Sequence, residues 1–234
     1  MRLDKFLCDR NMGTRSQVKN DIRRGLVTVN GKTVLAPDLK IDETGDLVTY
    51  QGRTLRQAGF VYYMLNKPQG VVSATQDNKD ETVVDLLSGC ELPRNGVFPV
   101  GRLDKDTEGL LILTDDGDLA HRLLSPKRHV DKTYLVTVQH PLSTEDIARL
   151  EQGVDIGEER ITLPAKVELN TNTQFFLTIH EGKFHQIKRM LQAVDNHVVA
   201  LKRTAFGGLT LDERLKPGEY RGLTGQEVER LHEA

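Results

Sequence analysis

The chain has 234 residues, enough for one large domain or two small ones with a proper hydrophobic core. Its apolar share of 38% and charged share of 28% are ordinary for a soluble globular protein, and no apolar run approaches the ~20 residues of a membrane-spanning helix. The net charge of −2 hides an asymmetry: residues 1–40 hold nine Lys/Arg against four Asp, while the rest holds 23 basic and 30 acidic residues. A basic head on a mildly acidic body points the head at a polyanion, or gives it a solvated charged face. Two cysteines, Cys8 and Cys90, cannot build a disulfide scaffold or a four-cysteine zinc site, and both read as structural. The charged start Met1-Arg2-Leu3-Asp4-Lys5 never becomes a secretory h-region, so a cytoplasmic protein is expected.

The head opens with Leu3, Phe6 and Leu7 at i, i+3, i+4, a short amphipathic helix. Thr14 with Gln17 three residues on predicts a capping box. The helix it opens carries Arg15, Lys19, Arg23 and Arg24 outside and Val18 and Ile22 inside, and ends at Gly25. Alternating valines around Asn30-Gly31 predict a hairpin over 27–34, and Asp46 to Tyr50 a further strand. Arg2-Leu3-Asp4-Lys5-Phe6-Leu7, Thr14-Arg15-Ser16 and Gly25-x-Val27-x-Val29-Asn30-Gly31 together resemble the S4 RNA-binding domain. That resemblance implies phosphate contacts through Arg15, Lys19, Arg23 and Arg24. Residues 51–59 show no apolar period and read as a linker, dividing the chain into 1–50 and 60–234.

The body mixes strands and helices without strict alternation. Strands are expected at Val61–Leu65, Leu110–Leu113, Tyr134–Val138 and Phe175–Ile179. Helices are expected at Thr82–Leu87, Leu119–Leu124, from Ser143 to Gly153, through Ile187, Met190, Leu191 and Val194, and after Thr224. This pattern favours an α+β body with a mixed, largely antiparallel sheet.

Neither a P-loop nor a Rossmann fingerprint nor a Gly-x-Ser-x-Gly elbow is present. The seven His are scattered, and His180 and His185 lie five apart across a turn, which makes a poor zinc pair. Chemistry without metal, nucleotide or redox cofactor is expected. The densest polar cluster runs from Val100 to Leu110 and holds Arg102, Asp104, Asp106 and Glu108 between glycines. It reads either as an exposed charged turn or as a loop that presents an ionised carboxylate beside an arginine. Asp104 and Asp106 are too close in sequence for the opposed carboxylates of a glycosidase.

Gly101-Arg102-Leu103-Asp104-x-x-Thr107-x-Gly109-Leu110 resembles the catalytic motif of pseudouridine synthases. Leu65-Asn66-Lys67-Pro68-x-Gly70, Lys132-Thr133-Tyr134-Leu135-Val136 and Glu181-Gly182-Lys183-Phe184-His185-Gln186-Ile187-Lys188-Arg189-Met190 resemble three further motifs of that family. With the S4-like head, the pattern is closest to the Rsu branch and spans nearly the whole chain. The resemblance implies a catalytic domain with a central cleft and Asp104 as catalytic carboxylate. Tyr134 would lie against the base, and Lys188 or Arg189 would pair with Asp104. Arg102 would grip the RNA backbone or fill the stack left by a flipped base. It further implies 16S rRNA, naked or in a small-subunit assembly intermediate, as partner of a monomeric enzyme. A sister enzyme acting on 23S rRNA and a non-catalytic S4-type assembly factor are the alternatives.

Overall fold

The computed structural model describes residues 1–10, 12–43, 45–55, 60–88, 93 and 96–234. The chain divides into two compact units, Met1–Val61 with Cys90–Val97, and Tyr62–Gly89 with Phe98–Ala234. Cys90 lies outside the described residues.

In the first unit, helix α1 (Leu3–Asp9) buries Leu3, Phe6 and Leu7, the apolar triplet of its sequence, together with Cys8. Helix α2 (Arg15–Arg23) opens on the expected capping box. Thr14 Oγ1 accepts from the Gln17 amide at 3.3 Å, and Gln17 Oε1 accepts from the Thr14 amide at 2.9 Å. Strands β1 (Val27–Val29) and β2 (Lys32–Thr33) form the expected hairpin. Asn30 and Gly31 take φ of 51° and 76°, as the two-residue turn demands. Strand β3 (Val48–Tyr50) returns beside β1 and turns at Gln51-Gly52 into β4 (Arg53–Leu55). The sheet order is β2-β1-β3-β4. Residues 53–55 were expected in the linker, and this is corrected: they are a fourth strand that buries Leu55 in the head's core. A three-residue strand with one buried apolar side chain leaves no period to read. Residues 56–59 lie outside the described residues.

The second unit contains β5 (Tyr62–Lys67), β6 (Phe98–Pro99), β7 (Glu108–Thr114), α3 (Gly117–Leu124), β8 (Lys132–Val138), α4 (Thr144–Gln152) and β9 (Lys166–Leu169). It continues with β10 (Gln174–Ile179), α5 (Gln186–Gln192), β11 (Val198–Phe206), β12 (Leu209–Thr210), β13 (Tyr220–Gly222) and α6 (Gly225–Glu233). The strands make one sheet in the order β13-β5-β7-β11-β8-β10-β9, with β6 on β7 and β12 on β11. Among the described residues β7–β11 is its one parallel pairing, so the α+β class with a largely antiparallel sheet holds. Met64, Leu110 and Ile112 pack with Leu119 and Leu123 of α3 and Leu231 of α6. Thr82–Leu87 is a correction: it forms turns in which Asp85 accepts from the Thr82 amide and hydroxyl. The segment is too short to propagate a helix beyond that nucleus.

β7 starts against β5 and β11 at once. Gly109 sits opposite Lys67 on one side and Arg203 on the other. Its φ is +106°, and a Cβ there would lie 2.7 Å from the Arg203 amide nitrogen and collide with the Arg203 carbonyl oxygen. Gly109→Ala is therefore expected to cost at least ~2 kcal/mol of stability. Urea denaturation of the variant checks this, and an unchanged midpoint would show that β11 yields freely.

Candidate active site

The antiparallel register of β5 and β7 brings the loop of residues 100–107 to the end of β5. The side chain of Lys67 is fully buried there. A buried ammonium needs an acceptor for each N–H. Lys67 finds three: the carbonyls of Pro68, Asp104 and Thr107, each at 3.0 Å. Burial pushes its pKa down to about 8, while the charges of Asp106, Asp104 and Glu108 work the other way. Ser73 holds the next link: its hydroxyl donates to the Leu103 carbonyl at 2.8 Å and accepts from the Leu103 amide at 3.0 Å. The Gly70 amide donates to the Lys105 carbonyl at 2.8 Å, and the Thr107 amide to the Asp104 carbonyl at 3.0 Å. The backbone under Asp104 is thus tied down on both sides.

The Asp104 carboxylate faces α5. Lys188 Nζ lies 3.1 Å from Asp104 Oδ2, and His185 Nε2 lies 3.6 Å from Oδ1. Lys188 also donates to both oxygens of Asp106, at 2.7 and 2.9 Å. Burial works against the Lys188 charge, but its hydrogen bonds to Asp106 and Asp104 and their negative charges outweigh it and raise its pKa above the ordinary lysine value. The same hydrogen bond lowers the pKa of Asp106. The choice left open between Lys188 and Arg189 resolves geometrically: Lys188 pairs with Asp104. Arg189 turns away to Glu158 at 2.8 Å, to the Phe184 carbonyl at 3.1 Å and to the Ile156 carbonyl. The structure does not bring it to the carboxylate. Gln69, Gly70, Asp104, Lys105, Asp106, His185 and Lys188 line a cleft of about 440 Å³.

Tyr134 is buried on β8, opposite Arg203 of β11, which itself stands opposite Gly109. Two strand spacings of about 4.8 Å therefore separate the Tyr134 backbone from Gly109, five residues after Asp104. Arg203 is also buried. Its Nε donates to the Leu110 carbonyl at 2.8 Å, its guanidinium lies 5.0 Å from the Phe206 ring centre, and its Nη2 has no partner among the described residues. Arg102 is exposed on the loop, with no ion pair among the described residues.

In the head, the fully buried carboxylate of Asp4 gathers the cations. Arg2 donates to both its oxygens at 3.0 Å, and Arg15 and Lys19 stand 3.7 and 3.9 Å away. The Arg2 hydrogen bond lowers the Asp4 pKa against the opposing effect of burial. Arg23 is exposed and unpaired among the described residues, whereas Arg24 lies 3.9 Å from Asp21. Sequence reasoning gave Asp106, Ser73 and Arg203 no role. Lys67 carried a readable signal, a lysine closing a strand of buried residues.

The chain is similar to known proteins over its whole length. A family model described as RNA pseudouridylate synthase matches residues 61–193, and the S4 domain model matches residues 1–48. An uncharacterised RNA pseudouridine synthase of Bacillus subtilis is 51% identical over 100% of this chain and 99% of its own. Ribosomal small subunit pseudouridine synthase A of Escherichia coli K12 is 45% identical over 97% of this chain and 98% of its own. A crystal structure of a pseudouridylate synthase matches with a TM-score of 0.69 at 40% identity, covering 99% of both chains. The chain belongs to the RNA pseudouridylate synthase family, and is an isomerase with an S4 RNA-binding domain.

Lys67→Met keeps an apolar stem but leaves three carbonyls without their donor. The expected loss is about 2–4 kcal/mol. The sign of the pH dependence follows from the depressed pKa. Between about 8 and 10.5 the unfolded chain holds the Lys67 proton more tightly than the folded one, so raising the pH across that window favours the folded parent. The stability gap between parent and variant should widen from pH 8 to 10.5 in urea titrations. A constant gap would mean that Lys67 does not titrate there.

Proposed function

We propose that this enzyme converts one uridine in the 5′ domain of 16S rRNA to pseudouridine, with Asp104 as its catalytic carboxylate. The observation that carries the reading is the Asp104 carboxylate, on a loop pinned by Lys67 and 3.1 Å from the Lys188 ammonium, at an open cleft. Relatives named as small-subunit enzymes support the choice of RNA. The substrate is 16S rRNA, free or within a small-subunit assembly intermediate, and the enzyme works as a cytoplasmic monomer.

The reaction breaks the C1′–N1 bond and forms C1′–C5. C5 gives up its proton and N1 ends with one, so the product has the same atoms as the substrate. No electron or group is supplied from outside, and no redox or group-carrying cofactor is called for. Asp104 acts at the sugar, by attack at C1′ or by taking the C2′ proton. Lys188 supplies the positive charge that a reacting carboxylate needs beside it. Tyr134 offers the freed uracil an aromatic face. Arg102, exposed two residues before Asp104 and without an ion pair among the described residues, takes the place of the extruded base or grips its backbone. Arg15, Lys19, Arg23 and Arg24 bind phosphates. Arg189, engaged with Glu158 and two carbonyls, has a structural part in this scheme.

The experiment is pseudouridine mapping by carbodiimide adduct and reverse transcription on unmodified 16S and 23S rRNA, naked and in assembly intermediates. One new stop in 16S, absent with Asp104→Asn, is expected. A stop only in 23S would move the substrate to the large subunit. No stop with RNA binding retained would make the chain an assembly factor and Asp104 a loop residue.

Arg23→Ala tests the head. It should lower the slope of log affinity against log salt by roughly 0.7–0.9, the signature of one lost phosphate contact. An unchanged slope would remove Arg23 from the interface.

A further inference from the structure

Phe184 is 74% exposed, the most exposed of the large apolar side chains among the described residues. A single surface phenylalanine needs no explanation by itself. This one is not isolated. Its ring stacks on the imidazole of His185, with centroids 3.8 Å apart and planes 21° from parallel. The other edge of that imidazole reaches Asp104, with Nε2 3.6 Å from Oδ1. Phe184, His185 and the proposed catalytic carboxylate form one continuous layer. The face of Phe184 that His185 leaves uncovered is open to solvent.

The backbone beneath this pair is fixed. The Lys183 amide donates to Gln186 Oε1 at 2.9 Å, and Gln186 Nε2 donates to Glu181 Oε1 at 2.9 Å. Arg189 Nη1 donates to the Phe184 carbonyl at 3.1 Å. His185 is held at φ 47°, in the left-handed region, and precedes α5 without capping it through its side chain. Asn, Asp, Ser or Thr would serve the helix better at that position. The imidazole is used for the stack instead.

We infer that Phe184 and His185 form a preorganised stacking platform for an unpaired nucleobase next to the target uridine. A base laid on the free face of Phe184 extends the stack by one ring. It is then separated from the His185–Asp104 contact by the phenyl ring, the place of a flanking nucleotide rather than of the reacting one. Base–aromatic stacking accepts any base, so the platform holds the RNA strand open beside the cleft without reading its sequence. Ordering the platform beforehand spares the complex that entropy on binding. The inference rests on the reading of this site as one that acts on a uridine in RNA.

The chain contains no tryptophan, which makes the test direct. Phe184→Trp in the Asp104→Asn background puts a lone indole on the platform and blocks turnover. Titration with unmodified 16S rRNA should quench its emission at the concentration where filter binding saturates. Phe184→Ala in the same background should bind roughly ten-fold more weakly, the loss of one base–aromatic stack, and Phe184→Trp should restore the affinity. Unchanged emission at saturating RNA, or parental affinity for Phe184→Ala, would overturn the platform while leaving the uridine reading intact. Failure of the unsubstituted chain to form pseudouridine in any rRNA would overturn that reading, and the platform with it. The position is exposed, so neither substitution threatens the fold.

Discussion

The ammonium of Lys67 is buried and holds three carbonyl oxygens, two of them on the loop that carries Asp104. That one constraint fixes much else. A buried ammonium needs a partner for each N–H group, and here two of the three acceptors are backbone atoms of the loop itself. The loop cannot move without stranding the charge. Gly109 completes the tie from the far side, where β7 lies too close to Arg203 for any side chain. Asp104 is therefore presented by a backbone whose position is set from β5, from β11 and from Ser73.

A fixed carboxylate still needs the right charge around it. Lys188 reaches Asp104 and Asp106 together, and its buried part makes it depend on both. Asp106 is the more exposed of the two carboxylates and the closer to the ammonium. It steadies Lys188 beside Asp104 from the same cleft. The helix that carries Lys188 buries Ile187, Met190 and Leu191 on its other face, so the ammonium is aimed by packing as well as by charge.

Much of this was legible in the sequence where a local rule carried it. The capping boxes at Thr14, Ser143 and Thr224 and the Asn30-Gly31 turn appear as their residues dictate. The loop around Asp104 stood out by its glycines and its charge density. What escaped was decided by distant partners. β11 holds Lys202 and Arg203 in its middle, which breaks the apolar run, yet Arg203 is buried. β4 is three residues long and exists because β3 lies beside it. The partner of Asp104 was one of two adjacent cations until the backbone turned Arg189 toward Glu158. Neither periodicity nor propensity encodes such choices, because each depends on atoms tens of residues away.

The charge division between the units then acquires a physical reason. The proposed site, with Asp104 and Asp106 at its cleft, concentrates negative charge where a polyanionic substrate must arrive. Lys188 and Lys105 offset part of it locally, Lys105 being itself shared with Asp80 at 2.7 Å. Residues 41–234 as a whole, with 23 basic and 30 acidic residues, offer RNA no net attraction. The head supplies what the body lacks. Its buried Asp4 draws Arg2, Arg15 and Lys19 into one cluster, so their side chains are partly ordered before any phosphate binds. Long-range attraction and local ordering are thereby kept in one unit and bond chemistry in the other. On the proposed function, the carboxylates of the site answer to the reaction rather than to the affinity.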